Sequence, residues 1–394
     1  MISSPTPSPR PSAPVFVTGL GLVTALGCSV SETWECLLLG KSGLTPQQPF
    51  PEFLPLPLGM VEGAIIPLSD LLQQTAMEAV RDAQMTLPAA DCGVVIGSSR
   101  GFQAQWETLA KDYLTQNIPP QAWLNTLPAM ASREVAQCLG TRGPVLAPMA
   151  ACATGLWAIV QGAELIRQGH CQRVIVGAGE NPITPLTLAG FERLGALAST
   201  GCYPFSPQRE GLALGAGAAI LVLESASSLA QRPHIKPYGC ILGAGLSADA
   251  HHLTAPEPDQ VGSRLALEQC LRRSGLRAED IHYVHAHGTG TILNDAHEAA
   301  LIQQCLPHLP PISSTKGATG HTLGASGAIG SVLGLLALRH QQLPPNVGLA
   351  GDPIYPHIVR HSRAAKLETV LCMSFGFGGQ NAVLALGLPP GAEP

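Results

Sequence analysis

Apolar residues along this chain fall into short continuous runs and helix-spaced stripes that follow one another. Val15-Phe16-Val17-Thr18-Gly19-Leu20-Gly21 reads as a buried strand ending in glycine. Leu71 to Ala83 spaces its apolar positions as an amphipathic helix, and Cys92 to Ser98 is a second buried strand. A helical stripe runs through Leu156, Ile159, Val160, Ala163, Leu165 and Ile166, followed by a strand from Arg173 to Gly179 and another from Ala216 to Glu224. Gln231-Arg232-Pro233 is the best internal boundary. Beyond it Ile235 to Leu246 is again a strand running into glycine, Arg264 to Ser274 a helix, Ile281 to His285 a strand and Ile329 to Arg339 a helix. Leu367 to Ser374 and Ala382 to Leu386 close as a strand pair. Residues 44–68 are irregular and suggest a surface excursion. The alternation predicts an α/β fold with a mainly parallel sheet.

Composition narrows the class. The 394 residues are 45% hydrophobic and 12% charged, which suggests surface hidden in an oligomer. A formal net charge of −5 argues against a nucleic-acid binder. Eleven cysteines without C-x-x-C spacing read as reduced thiols. Residues 1–14 are Pro/Ser-rich and are expected to be a disordered tail without the apolar core of a signal peptide. The apolar stretch Leu323 to Leu338 is dotted with Gly and Ser and is too short to span a bilayer, so a cytoplasmic protein without membrane insertion is expected.

Candidate chemistry centres on Met149-Ala150-Ala151-Cys152-Ala153-Thr154-Gly155, where an extended run meets a helix. A thiol there lies at the positive end of the helix, which favours thiolate and makes it a candidate nucleophile near neutral pH. On these seven residues alone, though, a buried small hydrophobe is the favoured reading. Gly19-x-Gly21 and Gly215-x-Gly217 lack the full dinucleotide fingerprint and its acidic residue, so no cofactor is expected. His285-x-His287 and His251-His252 lack a supporting set of ligands, so no metal is expected either.

Three further motifs follow: Val284-His285-Ala286-His287-Gly288-Thr289-Gly290-Thr291; Lys316-Gly317-Ala318-Thr319-Gly320-His321; and Ser374-Phe375-Gly376-Phe377-Gly378-Gly379. With Cys152, and in that order, they resemble the β-ketoacyl-acyl-carrier-protein synthases of the thiolase superfamily, most closely the elongating type I/II enzymes. The resemblance runs from about Val15 to the C-terminus. It implies a five-layer αβαβα sandwich of two pseudo-equivalent halves, 15–232 carrying the nucleophile and 233–394 the two histidines. It further implies decarboxylative Claisen condensation of an acyl group on Cys152 with malonyl-acyl-carrier protein, and a homodimer.

Residue by residue, the resemblance makes His287 and His321 the donors to the malonyl thioester. It makes the backbone N–H groups of Cys152 and Phe377 the oxyanion hole, with Phe377 also the gate. Thr289 and Thr291 hold the pantetheine arm, although each could simply bond the local turn. Phe191, Arg100, Gly376 and Gly378 border the substrate. Lys316, one of five lysines, is expected to be buried and to order the histidines. Relatives pair that lysine with a glutamate where this chain has Gly330, so its charge partner is open, as is the role of His285. Arg100 stands where relatives carry a small or aliphatic residue beside the acyl pocket. Val61 to Val80 lacks the basic residues that relatives use for carrier docking. Two rivals stay in view. A thiolase would need a second cysteine in the glycine loop, where Cys372 falls short. A chain-length-factor-like partner would lose the nucleophile.

Overall fold

The computed structural model describes residues 14–115 and 122–392. Apart from Pro14, the tail expected over residues 1–14 lies outside the described residues. Ten strands form the central sheet: β1 (Val15–Val23), β2 (Gly93–Gly97), β3 (Val145–Leu146), β4 (Arg173–Glu180) and β5 (Gly217–Ser225); then β6 (Gly239–Ala248), β7 (Tyr283–His285), β8 (Ile312–Ser313), β9 (Thr369–Gly376) and β10 (Gln380–Gly387). Their spatial order is β3-β2-β4-β5-β1 joined to β6-β10-β9-β7-β8. Each set of five therefore repeats one strand order, and the sets meet where β1 pairs antiparallel with β6, Val15 opposite Ile241 and Val17 opposite Gly239.

The sheet is mixed, against the expectation of a mainly parallel one. The outer three strands of each set are parallel, whereas β5 and β10 run antiparallel to both of their neighbours. The reason is local for β10: only the turn Phe377–Gly379 separates it from β9, too short for a parallel crossover.

Five helices give the layers: α1 (Leu68–Asp82), α2 (Thr154–Arg167), α3 (Val261–Ser274), α4 (Ile292–Cys305) and α5 (Ser326–His340). α1 covers β1 and β5, α3 covers β6 and β10, and α2 and α5 pack on each other between the two sets. The glycines that end β1 and β6 let the outer helices approach. A Cβ on Gly21 would lie 2.0 Å from the Thr75 carbonyl oxygen, and one on Gly245 would lie 1.8 Å from that of Ala266. The glycine echo between the two halves is thus a repeated helix contact.

Three apolar clusters fill the spaces between layers: Leu72, Ala76 and Ile96 under α1; Ile159, Ala163, Val332 and Leu336 in the middle; Leu267, Val284 and Val383 under α3. Leu323–His340 is long and apolar enough to cross a membrane, but it is 83% buried inside the protein, as a core helix is. The excursion at 44–68 contains a small antiparallel pair, Thr45–Gln47 with Leu56–Leu58.

Candidate active site

Cys152 sits on a turn just before α2, which begins at Thr154. Ala151 before it takes a positive φ of 46°. A non-glycine residue held there marks a turn over-determined by its surroundings. Thr154 accepts from Ala150 N (2.8 Å) and donates to the Ala151 carbonyl (2.7 Å), fixing that turn. The carboxy-terminal half reaches across it: Ser374 Oγ donates to the Cys152 carbonyl at 2.8 Å. Gly376 lies so close that a Cβ would stand 3.0 Å from Cys152 N, so only glycine fits without displacement.

His287 follows β7 and His321 precedes α5, so neither lies within a strand or a long helix. The structure brings them together, ring centroids 5.3 Å apart and nearly perpendicular at 79°. A thiol or ring-nitrogen atom from each of Cys152, His287 and His321 lies within 4.8 Å of the others, and all three residues are buried. Nδ1 of both histidines is buried without a hydrogen-bond partner among the described residues.

Burial and then the nearby Lys316 ammonium hold both imidazoles well below the ordinary histidine range, so they are neutral at physiological pH. The cysteine corrects an expectation. Burial pushes its thiol up to about 11, only partly offset by Lys316 and by the Phe377 N–H that donates to it. The resting residue is therefore a thiol, and the helix N-terminus alone does not ionise it. The adjacent neutral imidazoles can take its proton.

Lys316 is buried, and its Nζ donates to the His287 carbonyl. Burial lowers its pKa, and the leading opposing influence is Glu298, a fully buried residue on α4. The Glu298 carboxylate accepts from His287 N (2.6 Å) and Gly288 N (2.7 Å). Burial raises it to about 7. The acid facing Lys316 thus comes from α4, while position 330 is filled differently. His285 lies against Gly330, where a Cβ would stand 2.5 Å from its Nδ1, and its Nε2 is 3.3 Å from Thr315 Oγ1. The two histidines of the H-x-H pattern therefore face different neighbours.

Cys152, His287 and His321 line a cavity of about 300 Å³ whose walls include Phe191, Thr289, Thr291, Phe375, Gly376 and Phe377. Thr289 and Thr291 hydroxyls are 2.8 Å apart. Phe377 packs against Phe191 with the rings tilted by 32° and 6.0 Å between centroids, and Gly378 beside it has φ of 75°. Arg100 does not line this cavity. It is exposed, and its guanidinium lies 5.8 Å from the centre of the Phe191 ring. Cys372 turns into β9's packing, its thiol 3.6 Å from the Gly330 carbonyl, so the second cysteine of a thiolase is not at this site.

Among the described residues Cys152, His287 and His321 form the one group with the spacing of metal ligands. The buried Lys316 ammonium, close enough to lower both imidazoles, repels a divalent ion there. The donor set fits a charge-neutral acyl-transfer site better.

Sequence reading missed Glu298 and also Glu180. Fully buried at the end of β4, Glu180 accepts from Ser98 Oγ (2.8 Å), Ser99 N (2.7 Å), Ser99 Oγ (2.6 Å), Arg100 N (3.1 Å) and Gly324 N (3.2 Å). A carboxylate ending a strand whose interior is otherwise apolar was the available signal.

Comparison with known proteins agrees with the geometry. Residues 62–228 match the family described as beta-ketoacyl synthase, N-terminal domain, and 238–350 match beta-ketoacyl synthase, C-terminal domain. The 3-oxoacyl-[acyl-carrier-protein] synthase 2 of Coxiella burnetii is 33% identical over 94% of this chain and 98% of its own. That of Staphylococcus aureus (strain COL) is 33% identical over 94% and 97%. Among solved structures, the ishigamide ketosynthase/chain length factor superposes with TM-score 0.88 at 29% identity, covering 96% of this chain and 100% of that one. A type II polyketide ketosynthase, AntDE, solved with its acyl-carrier protein, gives 0.88 at 26%, with 96% and 100% covered. With the cysteine and both histidines in one buried site, and both family domains matched in order between residues 62 and 350, this protein belongs to the β-ketoacyl synthase family.

Proposed function

We propose that the chain joins an acyl group carried on Cys152 to malonyl-acyl-carrier protein by decarboxylative Claisen condensation, releasing β-ketoacyl-acyl-carrier protein, in fatty-acid or related polyketide-type elongation. The observation that carries this reading is the trio Cys152, His287 and His321, within 4.8 Å of one another and lining a cavity of about 300 Å³.

In acyl transfer, a neutral imidazole takes the Cys152 proton and the thiolate attacks the acyl thioester. The oxyanion is held by the N–H groups of Cys152 and Phe377, and the carrier thiol leaves with the proton. The thiol's pKa of about 11 makes that proton transfer part of the attack itself. In condensation, His287 and His321 donate N–H to the malonyl carbonyl oxygen, stabilising the enolate as carbon dioxide leaves. The enolate carbon attacks the acyl carbonyl, and collapse expels the Cys152 thiolate, which takes up a proton. Lys316 keeps both rings neutral and Glu298 holds the His287 backbone; neither needs to touch substrate. Thr289 and Thr291 border the pantetheine arm, and Gly376 and Gly378 let the Phe377 backbone approach.

The carrier protein is the partner this chemistry requires. A homodimer fits the exposed apolar side chains Val145, Leu146 and Met149 around the edge strand β3. The repeated strand order supports the halves 15–232 and 233–394, and a cytoplasmic location is part of the same reading.

Mass spectrometry tests the reading. Incubation with acyl-carrier protein bearing an acyl group should add that acyl mass to the peptide containing Cys152, and malonyl-carrier protein should then discharge it as β-ketoacyl product. A protein that never acquires the acyl mass fits the chain-length-factor alternative and sinks the proposal.

A further inference from the structure

The interior holds a third buried imidazole that the chemistry above does not use. His285 ends β7, opposite Ser313 of β8 and Cys372 of β9 in one row of the sheet, and is 3% exposed. Its ring meets α5 at Gly330. A Cβ there would lie 2.5 Å from Nδ1 and 2.6 Å from Cε1, so the helix passes over the ring only because position 330 has no side chain. Glycine inside a helix is a poor choice on its own account. Gly330 is not among the glycines with positive φ, so no backbone torsion calls for it. Ring and glycine are fitted to each other.

A polar ring buried this deeply needs a reason, since an aliphatic side chain would fill the same space without losing hydration. The reason lies on the next loop. His285 Nε2 and the Thr315 hydroxyl are hydrogen-bonded at 3.3 Å. Thr315 starts the turn that builds one side of the site. Its carbonyl accepts from Ala318 N and Thr319 N, both at 2.9 Å, which closes the helical turn Lys316–Thr319, and His321 follows two residues on. From this turn Lys316 Nζ donates to the His287 carbonyl. Burial and then the Lys316 ammonium lower the His285 pKa to about 3, so the ring stays neutral beside that charge. His285, Thr315 and Lys316 do not line the substrate cavity.

We propose that His285 is a positioning residue for the condensation: wedged against Gly330, it holds Thr315 and so fixes the turn that presents both Lys316 and His321. This rests on the condensing activity proposed above. A loosened turn leaves the cavity walls in place but lets the enolate donors drift. A small misplacement of that kind is felt in turnover rather than in substrate binding.

The informative variant is Gly330→Ala, because the three atoms its methyl meets first all belong to the His285 ring. Against the wild-type ring, kcat for condensation with malonyl-carrier protein is expected to fall about tenfold while KM stays within about twofold. His285→Gln has a slimmer side chain whose amide still reaches Thr315, so its kcat should stay within about threefold of wild type. In that background Gly330→Ala should cost no more than about twofold further. His285→Leu fills the space without the hydrogen bond and should lose about tenfold, and Thr315→Val added to it should lose nothing more. Urea denaturation checks that each variant is folded in the assay, and if Gly330→Ala is not, the contrast between His285→Gln and His285→Leu decides. Gly330→Ala that is harmless against the wild-type ring, His285→Gln no better than His285→Leu, or a loss confined to KM would overturn the wedge and leave the condensing activity standing. Wild-type protein that never takes up an acyl group on Cys152 would remove the activity itself, and the wedge's part in it.

Discussion

After β2 in the amino-terminal half and after β7 in the carboxy-terminal half, the chain leaves the sheet through a loop whose N–H groups converge on a buried glutamate. Glu180 gathers Ser99 and Arg100; Glu298 gathers His287 and Gly288. The segments that lead into the two middle helices both reach the site, Cys152 two residues before α2 and His321 five residues before α5. The difference lies in the charge nearby. Glu298 faces the Lys316 ammonium, whereas Glu180 is satisfied by hydroxyl and N–H donors with no cation among its leading influences. The first loop is a structural clasp; the second sets the electrostatics of the reaction.

Replacing the nucleophile breaks this division most severely. Cys152→Ala should abolish condensation while carbon dioxide release from malonyl-carrier protein stays measurable. His287→Ala and His321→Ala should each slow that release by about 10²–10³-fold, the scale of losing one enolate donor. Product and carbon dioxide are followed separately. Full condensation by Cys152→Ala would put the nucleophile elsewhere.

Neutralising the two glutamates sharpens the contrast. Glu298→Gln removes the main counter-charge of Lys316, so kcat should fall about 10-fold or more and the alkaline limb of the pH profile should move to lower pH. Glu180→Gln should leave that limb in place and cost stability instead, about 1–3 kcal/mol by urea denaturation, because an amide cannot accept from all five donors. A shifted limb in Glu180→Gln would erase the distinction.

Titration gives a further expectation. Glu298 is raised from 4.5 when unfolded to about 7 when folded. The native state thus holds an extra proton between those values, and stability should decline as pH rises through that window, levelling above it. Glu298→Gln should flatten the slope of the denaturation midpoint over this range; an unchanged slope would place the titration in another group.

The smallest effect concerns Arg100. It stacks outside Phe191 and not in the cavity, so Arg100→Ile should shift the preference for long over short acyl primers only about two- to fivefold, the scale of an exposed cation–π contact. A wild-type enzyme already indifferent to chain length would dismiss this role.

The cysteine turn, both histidine motifs and most strands were legible because each is a local pattern: an apolar run, or a glycine-flanked polar residue. α4 was not. Its buried face opens with Asp295 and Glu298 before Ala299, Leu301 and Ile302, so apolar periodicity breaks where the functional acid sits. Gly330 left the charge partner of Lys316 open; the leading opposite charge is Glu298 on α4, and His285 occupies the space beside Gly330. Only packing reveals such an exchange. The ionisation of Cys152 failed for a similar reason: a helix terminus is visible in sequence, but the depth of burial that opposes it is not.

The shared middle layer also bears on how the protein is made. The inner face of α2, with Ile159 and Ala163, is covered by Val332 and Leu336 of α5. Roughly 170 residues are synthesised between the end of α2 and the end of α5, on the order of ten to thirty seconds on a ribosome. For that interval the nascent amino-terminal half carries an apolar helix face with no lid of its own. Its yield in a cell therefore depends on whether chaperones or slow aggregation reach that face before the second half emerges.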